Sequence, residues 1–208
     1  MESDRVLTPV FLASGVALVV AIFARVSLAL ALLGSLLIVT SAFAFRLHRL
    51  DKDQRRSRLS LIARGAGAGI LATAAYDLSK GLLALFVLQS TTPFEAIPIF
   101  GELIVGEGTF ATHLSVGILF HVLNGTAFGI AYVTFVRRLG PVTGIGWGLI
   151  LETAQLLVYP QWLNIANLAE FAQVTAFAHL VYGYTLGITA RSLVARAVLS
   201  APRVRSDS

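Results

Sequence analysis

The stretch HVLNGTAFG, residues 121–129, lies inside a run that is otherwise apolar from about 111 to 136. A run of that length meets the roughly 20 residues a helix needs to cross a bilayer. His121 and Asn124 therefore fall where water is absent, and Gly125 and Gly129, four residues apart, share one helix stripe. A second stretch, HLVYGYTLG at 179–187, repeats the spacing H-x3-G-x3-G with His179, Gly183 and Gly187. Reading these two stretches as parts of membrane helices decides the fold class.

Composition agrees with that reading. Of 208 residues, 56% are hydrophobic and 13% charged, and the mean hydropathy is +0.80. The absence of cysteine excludes disulfides and thiolate metal sites. The net charge of +5 is no nucleic-acid signal, because the basic residues lie in short segments between apolar runs. The opening MESDRVLTPVFLASGVALVVAIFARVS sets Glu2 and Asp4 against Arg5 and has no small-x-small cleavage site. It reads as a retained helix, not a signal peptide.

Apolar runs of spanning length occur at about 6–24, 28–45, 60–89, 111–136, 141–159 and 171–194. One helix through the first two runs would be about 60 Å long, twice the hydrocarbon thickness, so the chain must turn near Arg25, Val26 and Ser27. Arg46, Arg49, Lys52, Arg55, Arg56, Arg58 and Arg64, then Arg137 and Arg138, then Arg191, Arg196, Arg203 and Arg205 all fall on one side of six spans. Arg5 joins them, whereas only Arg25 falls opposite. The positive-inside rule makes that side cytoplasmic. The opposite segments, 91–108 and 160–173, carry Glu95, Glu102, Glu107 and Glu170 and no Lys or Arg. The expectation is an all-α integral membrane protein with six transmembrane helices and both termini cytoplasmic. It divides into a hairpin (1–45), a basic cytoplasmic loop (46–59), a four-helix core (60–196) and a tail (197–208). Segment 91–108, apolar but broken by Pro93 and Pro98, reads equally as a connector and as a lid on the membrane.

Spans three to six read as a parallel repeat of a helix pair. Spans three and five open with GAGAG (65–69) and GIGWG (144–148), and spans four and six share the histidine–glycine spacing. Steps of four place Gly65, Gly69, Thr73 and Asp77 on one stripe, and Gly144, Gly148 and Glu152 on another. Glycine stripes let backbones approach closely in lipid. They predict a bundle tight on the cytoplasmic side and splayed outward around a polar pocket. The candidate site residues are Asp77, Lys80, His121, Asn124, Glu152 and His179, with His113 and Gln155 as further polar candidates. Asp77 and Lys80 are i,i+3 neighbours able to neutralise each other.

GWGLILETAQLLVYP followed by HLVYGYTLG, after a glycine-rich span and HVLNGTAFG, resembles the uncharacterised bacterial inner-membrane proteins of the YagU type over about 60–190. The leading hairpin lies outside the likeness. The resemblance implies a multi-pass protein of the bacterial inner membrane and carries no catalytic residue.

An ionisable side chain costs at least about 2.5–3.5 kcal/mol at the bilayer centre, so a group of them marks a site by default. Three functions fit. The first is binding or transport of a small solute, with protons exchanged at His121, His179, Glu152 and Asp77. The second is a mononuclear metal site on those same four residues, or a haem held between His121 and His179. The third is an accessory subunit whose polar groups only join helices. No nucleophile with a positioned base marks an enzyme. The expected partners are the bilayer, anionic lipid at 46–58 and a second copy of the chain.

Overall fold

The computed structural model describes residues 12–86, 93–162 and 168–199, and among these the chain is all-α. Seven helices follow in order: α1 (Ala13–Ala24), α2 (Leu28–His48), α3 (Lys52–Phe86), α4 (Ala96–Val105), α5 (Phe110–Phe135), α6 (Pro141–Trp162) and α7 (Leu168–Leu199). Four of them, α2, α3, α5 and α6 (Pro141–Tyr159), are long and apolar enough to cross a membrane. α7 has ample length at 32 residues but interleaves more polar side chains.

Local signals set the helix ends. The turn expected at 25–27 is present: Arg25 caps α1 in the left-handed region at φ 54°, and Ser27 caps α2, accepting from Leu30 N–H at 3.3 Å. Thr109 caps α5 in the same way, and Pro141 opens α6 where its missing N–H is harmless. One expectation fails here. The basic segment 46–59 is not a loop, because Asp51 accepts a hydrogen bond from Gln54 N–H at 2.8 Å and starts a helix at Lys52. Its 35 residues make α3 about 52 Å long, so its basic first turns continue the helix beyond any membrane. Segment 91–108 likewise contains a helix, α4.

α3 is the central column, packed on one side by α5 and on the other by α7, with α6 packed on α7. Backbone contact makes these interfaces. A Cβ on Gly69 would sit 2.7 Å from the Gly125 carbonyl oxygen, and one on Gly129 would sit 2.6 Å from that of Gly65. Gly144 and Gly183, and Gly187 and Gly140, meet as closely between α6 and α7. The stripes read from the sequence are thus the contact faces, and they lie toward the basic end of the bundle. There Tyr132, fully buried, ties the α5–α6 turn by reaching the Gly140 carbonyl at 3.1 Å and Thr143 Oγ1 at 2.9 Å. The Trp147 ring packs on Tyr132 and Phe135.

Away from that end α5 and α6 do not pack on each other. α4 lies along α5, its Gly101 against the backbone of His113 and its Ile97 against Gly117. α1 reaches α5 through Gly15, whose added Cβ would meet the Phe128 ring at 3.4 Å. A small second core joins Leu18, Ala21 and Leu28 of the hairpin to Phe100 and Phe120. α2 buries only Leu28 and exposes Leu30, Leu33, Leu36, Leu37 and Ile38, a surface suited to lipid.

Gly144→Ala and Gly183→Ala force helix backbones apart and should each cost about 1–3 kcal/mol, seen as a lower melting temperature in detergent. Gly34→Ala, with nothing within 4 Å of the added carbon, should leave it unchanged.

Candidate functional site

Where the glycine contacts end, the core helices part around a cavity of about 170 Å³. α3 contributes Tyr76, Asp77 and Lys80; α5 contributes His121 and Asn124; α6 contributes Gln155; and α7 contributes His179 and Tyr182. All six candidate residues are in or beside this cavity, five lining it and Glu152 directly behind His179.

They meet as two carboxylate–histidine pairs. On the α3–α5 interface, His121 Nε2 lies 2.9 Å from Asp77 Oδ1, with both side chains about a third exposed at 27% and 33%. On the α6–α7 interface, His179 Nδ1 lies 2.7 Å from Glu152 Oε2, and this pair is buried. The same Nδ1 is 2.9 Å from the Thr175 carbonyl, which can only accept, so Nδ1 carries the proton. That proton points at the carbonyl, and Glu152 Oε2 has the imidazole beside it without an aligned hydrogen bond. Glu152 Oε1 accepts from the Thr175 hydroxyl at 2.7 Å. Tyr76 stands between the pairs, its ring centroid 5.9 Å from that of His121 and 4.9 Å from that of His179.

Several expectations change. Asp77 pairs with His121 and not with Lys80, whose ammonium lies over the rings of Tyr76 and Phe94 at 5.2 and 5.5 Å. Asn124 accepts from the Ser14 hydroxyl of α1 at 2.6 Å, a contact across 110 residues. His113 is elsewhere, at the acidic end, with Nε2 3.0 Å from the Gly106 carbonyl. The four residues proposed for a metal do not gather: among the described residues no three His, Asp or Glu side chains stand together as a ligand set. The reason is geometric, since each pair belongs to a different helix interface. A haem between His121 and His179 is blocked by the Tyr76 ring in the same space. The outward opening expected of the pocket is roofed by α4, where Phe100 packs on Phe120 and Tyr159 with centroids 5.4 and 5.3 Å apart.

Sequence reasoning passed over Ser14, Tyr76, Thr175 and Tyr182. Thr175 was within reach, one turn before His179 on the same stripe. Tyr182, whose hydroxyl donates to the Gly125 carbonyl at 3.0 Å, and Ser14 carry no local signal.

His179→Ala strands a buried carboxyl and should cost about 2–3 kcal/mol of stability. His121→Ala, at the more exposed pair, should cost about 1 kcal/mol or less. Equal losses in denaturant titrations of the two variants would contradict this assignment.

No curated protein and no solved structure matches the chain. A family model does match residues 59–199, the whole of the core from α3 onward apart from its first turns. That segment contains the region that resembles YagU-type proteins, and nothing in the match confirms that resemblance. By that match, and with both carboxylate–histidine pairs inside it, the chain belongs to DUF6789, a family of unknown function.

Proposed function

We propose that the protein crosses the membrane six times with both termini cytoplasmic, and that it binds a small solute in the cavity between its core helices, with proton exchange at the Asp77–His121 pair. The observation that carries this reading is the pair itself, set on the wall of a partly open cavity and not at a sealed helix contact. Imidazole is the side chain whose charge changes nearest neutral pH, so a ligand seated against His121 is coupled to its protonation. The similar arrangements on α3–α5 and α6–α7, glycines first and a carboxylate–histidine pair beyond, support reading them as repeated units, one pair facing the cavity with both members and the other with His179 alone. Two such units around one site suit a carrier.

Thermal-shift measurements on purified protein against small weak acids, amines and phenols at two pH values test the site. One class should stabilise wild type to different extents at the two pH values. In Asp77→Asn and His121→Gln that difference should vanish. A panel in which no class stabilises the protein counts against the binding reading.

The basic end supports a second, separate proposal: affinity for anionic lipid. Lys52, Arg55 and Arg56 fall on one face of the first turns of α3 and are exposed. Anionic lipid should raise the melting temperature above that in zwitterionic lipid, and Lys52→Gln/Arg55→Gln/Arg56→Gln should remove most of that gain.

A further inference from the structure

The cavity is partly open, and the exposure of its lining residues locates the opening. At the basic end it is closed by glycine-to-backbone contacts, and at the acidic end by the cluster of Phe100, Phe120 and Tyr159. Among its described lining residues only two are exposed, Val19 on α1 and Ala154 on α6. These two helices are not a packed pair. The surface around the gap between them is apolar and exposed: Val16, Val20 and Phe23 on α1, Ile150 and Leu157 on α6. A solute arriving through that gap comes out of hydrocarbon, where a formal charge costs several kcal/mol.

Size and lining then restrict what fits. A cavity of about 150 Å³ is known to hold one benzene ring, and this one is about 170 Å³. Leu18, Ile97, Phe100, Phe120 and Phe128 supply apolar walls, whereas the polar groups converge from four helices: Asp77 with the opposite charge of Lys80 on α3, His121 and Asn124 on α5, Gln155 on α6, and His179 on α7. They offer both donors and acceptors to one head group. Resting on the binding reading above, we infer that the site takes a ring-sized, neutral amphipathic molecule, an apolar ring bearing one hydroxyl or amide, which enters from the bilayer between α1 and α6. α1 lies outside the family match, so the matched core supplies the head-group site and the leading hairpin supplies one jamb of its door.

The probe is 4-fluorophenol, followed by fluorine NMR with the full chain in lipid nanodiscs and with empty nanodiscs as the partition control. Because the native chain has no cysteine, Ala154→Cys gives a single thiol that can be alkylated after folding, first with a small maleimide and then with a bulky aromatic one. Saturable binding is expected in wild type and in unmodified Ala154→Cys, at least tenfold tighter than that of fluorobenzene, which lacks the head group. Exchange should slow in steps with the size of the adduct, by tenfold or more for the larger one. The same adducts on Leu82→Cys, exposed on α3 and away from the mouth, should leave exchange unchanged. Binding with exchange indifferent to the Ala154 adducts overturns lateral entry. Binding of trifluoroacetate or trifluoroethylamine in place of 4-fluorophenol overturns the ligand class while the pocket stands. If none of these probes binds, the pocket reading falls with it.

Discussion

The contact on which the rest depends is backbone against backbone at Gly65, Gly69, Gly125 and Gly129, and its counterpart at Gly144, Gly148, Gly183 and Gly187. Lipid chains are as apolar as leucine, so helices in a membrane gain little from hiding side chains and associate through close packing and hydrogen bonds. Glycine removes the side chain that would hold two backbones apart. These residues therefore decide which faces meet, and they make α3 the column against which α5 and α7 are set. A bulky residue at any of them would rearrange the bundle and not merely loosen it.

The cavity is the complement of that packing. Glycine contacts pull the helices together at the basic end, and beyond Thr73 and Gly148 the stripes carry Asp77 and Glu152 instead. Larger side chains there hold the helices apart, and the space between is filled from other elements. Phe100 comes down on a short helix, and α1 leans in with Ser14 hydrogen-bonded to Asn124. Polar groups that would be costly in lipid are set against one another in pairs. This explains why four potential metal ligands do not converge: each carboxylate finds the histidine across its own interface, and Tyr76 separates the two.

The two pairs share chemistry and differ in setting. Asp77 and His121 border open space, whereas Glu152 and His179 are enclosed with Thr175. An enclosed carboxylate that lacks an aligned donor on one oxygen depends on its neighbours far more than an exposed one does. That contrast makes the inner pair part of the helix packing and leaves the outer one facing the cavity, although the sequence motifs around them are nearly the same.

Periodicity and composition by themselves determined much of this protein. Steps of four along the chain put glycines and ionisable residues on common stripes, and those stripes are the faces that pack. The turn at Arg25 and the placement of Asp77, His121 and His179 around one polar pocket were equally legible, because each follows from helix geometry over a few residues. The helical start of α3 was also written, in Asp51 and Gln54, but charge density there read as a loop. What only the tertiary structure decided involves residues far apart in the chain. Ser14 meeting Asn124, Phe100 roofing the pocket, Tyr76 dividing the histidines and the gap between Val19 and Ala154 all depend on how whole helices lie against each other. A local pattern fixes the face a side chain occupies. Which helix comes to that face is set by the sum of all the contacts, and no single stretch of sequence contains it.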